Sequence, residues 1–115
     1  MTRLPIGIYK IENFANGKVY IGQSQNMYAR WRQHLSKLKS GHHVNQDLQA
    51  DWTKSSRSFR WSVVEYCSLE DLNKREKYWI NYYDSINTGY NKGWVPFTRK
   101  EEDETKKKKP KGYGR

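Results

Sequence analysis

The dipeptide Asn16-Gly17 stands between two short runs of β-branched and aromatic residues and limits this chain more than any other pair. Both residues tolerate the positive φ that a type I′ turn demands, so the dipeptide predicts a β-hairpin. Pro5 to Phe14 reads as its first strand and Lys18 to Gln23 as its second. With a two-residue loop, Ala15 pairs with Lys18, Tyr9 faces Ser24 and Asn13 faces Tyr20. Residues 9 and 13 share parity, which puts Tyr9 and Tyr20 on one face of the hairpin. Each tyrosine belongs to a tripeptide with a glycine at its outer edge, Gly7-Ile8-Tyr9 and Tyr20-Ile21-Gly22. A glycine inside a strand marks a bulge or a close approach of the backbone to something else.

Beyond the hairpin, Asn26 is the expected N-cap of a helix that runs to about Lys39 and stops at Gly41. Tyr28, Trp31, Leu35 and Leu38 fall at helical spacing as its core stripe, with Arg30 and His34 one turn apart on the flank. A shorter helix is expected over Gln46 to Trp52, and a third strand over Phe59 to Cys67. Ser68, with Asp71 three residues on, predicts a capping box that opens a last helix ending near Asp84. The apolar stripe of that helix runs Leu69, Leu72, Trp79, Ile80 and Tyr83, and Glu76 occupies a position where the period calls for a hydrophobe. Burying a carboxylate is costly unless it is paired or holds a metal. Glu76 is thus either half of a structural ion pair or a group aimed at a functional site. Thr88 to Gly93 forms a turn-rich loop that can bring Asn91 back against the hairpin.

At 115 residues the chain supports one domain with a modest core, rich in aromatics because it holds five tryptophans and nine tyrosines. No run approaches the ~20 apolar residues of a membrane span, and no signal-peptide core follows Met1. Cys67 is the only cysteine, which excludes an internal disulfide and a cysteine-based zinc site. It reads as a small hydrophobe ending the third strand, and a cytoplasmic setting fits. The formal charge is +10. Residues 1–97, the expected domain, hold fourteen Lys and Arg against eight acids, and 98–115 hold eight against four. The domain is basic in its own right, and 98–115 reads as a charged, disordered tail or linker. Such a charge favours a polyanion, with nucleic acid ahead of an anionic membrane.

Hydrolysis of a phosphodiester needs a group to deprotonate water and a cation to stabilise the developing charge. The chain lacks both the carboxylate cluster of a two-metal nuclease and any suggestive Ser/His/Asp or Cys/His spacing. What remains is Tyr9 or Tyr20 as base, Arg30 as phosphate clamp, and Glu76 holding one hard cation. A tyrosine with an ordinary pKa of ~10 needs a nearby cation for that work. Arg30, Lys18 or a bound metal can each serve.

In these positions the chain resembles the GIY-YIG nucleases. The two tripeptides, Arg30 and His34 on the first helix, Glu76 on the last and Asn91 in the closing loop carry the likeness, over roughly Pro5 to Trp94. It is strongest to the amino-terminal catalytic domain of phage-type, intron-encoded homing endonucleases. The resemblance implies an α/β fold, a small three-stranded antiparallel sheet of mixed order flanked by helices. It implies one Mg²⁺ or Mn²⁺ held by Glu76 and double-stranded DNA as partner. By the same resemblance Tyr9 is the general base, Tyr20 orients the scissile phosphate or its water, and Arg30 stabilises charge on the phosphate. His34 positions groups or transfers a proton, and Asn91 braces the site. Lys18, Arg30, His43 and Lys92 are the expected nucleic-acid contacts, His43 (or its neighbour His42) matching a further histidine of the homing subgroup. The expected function is a metal-dependent DNA endonuclease of homing type, intracellular in a phage or bacterial host, acting as a monomer or transient dimer on DNA. A catalytically silent DNA-binding module, or a restriction or repair nuclease of the same family, is the alternative. Homing enzymes of this kind carry a long linker and further DNA-binding modules. A chain ending at Arg115 is therefore expected to be an isolated catalytic domain or a small freestanding enzyme.

Overall fold

Strands β1 (Gly7–Asn13) and β2 (Val19–Ser24) form the hairpin in a computed structural model that describes residues 5–96. Its turn is longer than the dipeptide predicts. Asn13 N–H donates to Lys18 O and Gly17 N–H donates to Asn13 O, closing a four-residue loop from Phe14 to Gly17. Within it only Gly17 has a positive φ, 78°, so Asn16 does not enter a type I′ turn. The Asn13 side chain instead accepts from Ala15 N–H, and the Asn16 side chain from Lys18 N–H. Asparagine offers such local bonds readily, and here they outcompete the tighter turn. The pairing is consequently offset by two residues: Tyr9 lies opposite Gly22 and Ile11 opposite Tyr20. A shift of two preserves parity, and both tyrosines still share a face.

Strand β3 (Phe59–Tyr66) pairs antiparallel with the other side of β1, giving the order β2-β1-β3. The register slips between Ile8 and Tyr9 on this side. Next to the slip, a Cβ on Gly7 would collide with the Glu65 carbonyl oxygen, so the first motif glycine permits a close strand approach.

Helix α1 (Met27–Ser40) is capped by the Asn26 side chain, which accepts from Ala29 N–H at 3.2 Å. It ends at Gly41, whose φ of 82° lets Gly41 N–H reach Leu38 O and His42 N–H reach Lys37 O, a Schellman closure. Its buried residues are Met27, His34 and Leu38, with Trp31 half-buried and Tyr28 exposed. The inward stripe is therefore rotated from the expected one. His34 lies within it rather than on a flank, because the 27, 31, 34, 38 series faces the hairpin. Helix α2 (Gln46–Ser55) runs one turn further than expected. Helix α3 (Leu72–Tyr83) is entered through a 3-10 turn at Leu69–Asp71, and Ser68 makes no capping bond, so the expected box does not form. Leu69 is correspondingly exposed, while Leu72, Glu76 and Ile80 are buried. A single-turn helix α4 (Ser85–Thr88) follows.

The sheet is covered on both faces. Tyr9, Ile11 and Phe59 pack with Met27 and Leu38 of α1 and Leu48 of α2. On the other face Ile8, Val19 and Ile21 pack with Leu72 and Ile80 of α3, and half-buried Cys67 joins them. Each fully buried isoleucine or leucine contributes about 1.5–3 kcal/mol. Two layers of helix thus hold the tyrosine face and the Glu76 helix on opposite sides of one rigid hairpin. Among the described residues no helix is long and apolar enough to cross a membrane. The expected tail at 98–115 lies outside the described residues.

Candidate active site

The segment after α4 runs beside the outer edge of β2. Asn91 Nδ2 donates to Ile21 O at 2.9 Å while its Oδ1 accepts from Ile21 N–H at 2.8 Å, and Tyr90 N–H donates to Val19 O. One carboxamide does the work of a strand residue there, covering an edge that would otherwise be open. Between this segment, the hairpin, α1 and α3 lies a cleft of about 770 Å³. Tyr9, Tyr20, Arg30, His34, Glu76 and Asn91 all line it.

Tyr9 is only 1% exposed, and its ring lies across β2 because residue 22 has no side chain. A Cβ at Gly22 would collide with the Tyr9 ring tip and hydroxyl. We therefore expect Gly22→Ala to displace that hydroxyl and cut any activity depending on it about a hundredfold, with circular dichroism showing the fold retained. Tyr9 Oη shares a 2.7 Å hydrogen bond with His34 Nε2, and His34 Nδ1 shares one of 2.8 Å with His43 Nε2. Asn45 N–H donates to His43 Nδ1 at 3.0 Å. The Tyr20 ring stands 6.5 Å from that of Tyr9 and 5.5 Å from that of His34, centre to centre.

Burial pushes the Tyr9 phenol far above its ordinary pKa, with Tyr20 adding to the rise and the Arg30 guanidinium opposing it. His34 is pushed down to about 3, chiefly by burial and then by His43 and Arg30. His43 is lowered too, by burial first and then by Arg30 and Lys37. Folding biases both imidazoles toward the neutral form, whereas the unfolded chain takes up protons below about pH 6.5. The stability that neutral His34 brings is fully present above pH 6.5 and is lost as pH falls toward 3, and burial of His43 acts in the same direction. Urea midpoints should therefore drop between pH 7.5 and 5, and His34→Gln should flatten the drop.

Glu76 is 4% exposed and is the only carboxylate on the cleft wall among the described residues. Gln23 Nε2 donates to its Oε1 at 2.8 Å and Trp94 Nε1 at 3.1 Å, and Gln23 also reaches Asn73 Oδ1 at 2.8 Å. Arg30 Nη1 donates to Gln33 Oε1 at 3.2 Å, but its Nε is buried with no hydrogen-bond partner among the described residues. Among the described residues no group of three or more His, Cys, Asp or Glu could cage a metal. A lone carboxylate in a roomy cleft fits a hard cation such as Mg²⁺, which takes one or two carboxylates and keeps waters or phosphate oxygens for the rest. It does not fit a zinc site built wholly of protein ligands.

The expected nucleic-acid contacts separate. Arg30 is in the cleft, and Lys92 is on its rim, ion-paired with exposed Asp47. Lys18 lies over the Tyr90 ring, away from the cleft lining. His43 also lines the cleft, buried and with both ring nitrogens engaged. Sequence reasoning missed Gln23, Asn45 and Trp94. For Gln23 a signal existed: it is the polar member of the Val19, Ile21, Gln23 series facing α3, as Glu76 is the polar member of its stripe.

The sequence pattern of the GIY-YIG catalytic domain matches residues 5–91. Over 87 residues the chain is 36% identical to intron-associated endonuclease 1 of Enterobacteria phage T4, an alignment that takes in 74% of this chain. It covers 36% of the phage protein, so the chain spans only about a third of that relative's length. The solved catalytic domain of homing endonuclease I-TevI superposes with a TM-score of 0.71 at 32% identity, over 76% of this chain and 98% of that one. An alanine mutant of the same domain gives a TM-score of 0.72 at 32% identity, over 80% and 97%. Sequence and fold agree with the two glycine-tyrosine tripeptides on adjoining strands: the chain belongs to the GIY-YIG family of endonuclease catalytic domains.

Proposed function

We propose that this domain hydrolyses phosphodiester bonds of double-stranded DNA as a homing-type endonuclease, with Tyr9 as general base and one divalent cation, Mg²⁺ or Mn²⁺, held by Glu76. The observation that carries the reading is convergence: a buried phenol from β1, a guanidinium from α1 and a lone carboxylate from α3 line one cleft. The homing assignment rests on the likeness to an intron-associated endonuclease, and the DNA partner on the charge of +10. Residues 1–97 act as the catalytic unit, and the lysines of 98–115 add contacts to phosphates. An intracellular site of action goes with that substrate.

The residues divide the chemistry. Arg30, its guanidinium on the cleft wall, donates to a phosphate oxygen, a charge-assisted bond that strengthens as the phosphate gains charge. Tyr9, once ionised, takes a proton from the attacking water. Burial opposes that ionisation, so the phenol is inert until positive charge gathers around it. Bound at Glu76, the cation would supply that charge and neutralise the phosphate. Tyr20, its ring against Tyr9 and His34, orients the scissile phosphate, and Asn91 fixes Tyr20 and Gly22 by gripping Ile21 between them.

Cleavage in ¹⁸O-labelled water tests the role given to Tyr9. Water attack puts the label in the terminal phosphate and leaves no protein on the DNA. A covalent tyrosyl–DNA adduct would make Tyr9 a nucleophile and refute the reading.

A further inference from the structure

A backbone N–H can only donate. Asn45 N–H points at His43 Nδ1 across 3.0 Å, so that nitrogen must accept. A neutral imidazole with an accepting Nδ1 carries its proton on Nε2, and His43 Nε2 lies 2.8 Å from His34 Nδ1. The two ring planes are only 14° apart, and the nitrogens are closer than stacked rings approach, so this bond runs along the planes. His34 Nδ1 must then accept in turn, which leaves the His34 proton on Nε2, facing Tyr9 Oη at 2.7 Å.

The start of this chain cannot swing away. The Asn45 side chain accepts from Leu48 N–H at 3.0 Å, capping α2, and donates to Tyr90 O at 2.7 Å. His43 N–H donates to Gln49 Oε1 at 3.0 Å, and Gln49 Nε2 donates to Leu38 O at the end of α1. A reversed chain would set a His43 Nδ1 proton against the Asn45 N–H proton, which no local rotation relieves.

We propose that the Asn45 main chain locks His43 and His34 as Nε2–H tautomers, so that His34 donates to the Tyr9 oxygen and His43 is the positioning residue that holds it to that task. The tautomers stand on geometry alone; their catalytic meaning rests on Tyr9 acting as the base. His34 cannot take the phenol proton, since the nitrogen facing Tyr9 already bears one. The phenol O–H bond breaks toward the cleft, its proton passing to solvent, and the electron pair stays on an oxygen still held by His34 Nε2–H. The water proton later returns to that oxygen, and neither histidine changes its proton count.

Two-bond ¹H–¹⁵N correlation spectra of the labelled full chain at pH 7 read the tautomers directly, with His42→Gln and His43→Phe variants assigning the three rings. We expect His34 and His43 each to show a protonated Nε2 and a bare Nδ1, and His34 to populate both tautomers in His43→Phe. A proton on Nδ1 of either ring in the wild type would overturn the proposal, whether or not the protein cleaves DNA. So would a His34 that keeps a single tautomer in a folded His43→Phe, since His43 would then position nothing. For the catalytic meaning, His34→Gln keeps an N–H donor but no base, and should cleave at least about tenfold faster than His34→Phe. Equal loss in both would refute the donor role. The expected tautomers in a wild type that never cleaves would uphold the lock and refute the reading of Tyr9 instead.

Discussion

Glu76→Gln is expected to lower the single-turnover rate of DNA cleavage by about a thousandfold while the domain folds and binds DNA as before. Glutamine matches the volume of the glutamate and keeps a carbonyl oxygen to accept from Gln23 and Trp94, so the wall of the cleft stays intact. What it removes is the charge that a hard cation needs. DNA affinity should hold or rise slightly, because one negative charge leaves a domain of net positive charge. Glu76→Ala is the less informative variant. It removes the acceptor of half-buried Trp94 Nε1 and one of the two acceptors of Gln23 Nε2, and the lost stability then confuses lost chemistry. Cleavage rates, fluorescence anisotropy on a DNA duplex and thermal melting, measured side by side on Glu76→Gln, separate these contributions.

Tyr9→Phe should be as damaging to cleavage, about a thousandfold, for a different reason. The ring still fills its place beside Ile11 and Trp61, so packing is preserved. Only the hydroxyl goes, and with it the proposed base. The loss leaves a His34 nitrogen without its 2.7 Å partner, which costs about 1–3 kcal/mol and predicts a modest fall in melting temperature. DNA binding should be unchanged. Tyr20→Phe provides the contrast. Tyr20 is half-buried at the cleft wall and proposed to orient rather than deprotonate, so its loss should cost about tenfold. A larger effect at Tyr20 than at Tyr9 would exchange the two roles.

The hairpin shows which sequence inferences survive an error. The turn was expected at two residues and is four, because Asn13 and Asn16 bond locally to the backbone. Facing is a matter of parity, so the placement of both tyrosines withstood the two-residue offset. Gly22 could be read as a close approach, but not that the approaching group is the Tyr9 hydroxyl, which depends on the true register. Glu76 was legible because a carboxylate in an apolar stripe is costly wherever it sits. His34 carries the same signal at the seventh position after Met27, but a stripe counted from Tyr28 leaves it on the flank. Both histidines of the Asn45–His43–His34 chain were legible as site residues, but the bonds that link them to each other and to the Asn45 main chain were not. They arise where the Schellman turn after α1 folds the 42–45 loop back onto that helix, and no local pattern encodes that contact.

Whether Tyr9 and a cation at Glu76 cut DNA is read from cleavage of supercoiled plasmid at low salt, with Mg²⁺, with Mn²⁺ and with chelator, wild type beside Glu76→Gln and Tyr9→Phe. Metal-dependent nicking or linearisation by the wild type is expected, abolished by chelator and in both variants although each still folds and binds DNA. Cleavage near the wild-type rate in either variant or in chelator would contradict those roles, as would a folded, DNA-binding wild type that leaves the plasmid intact.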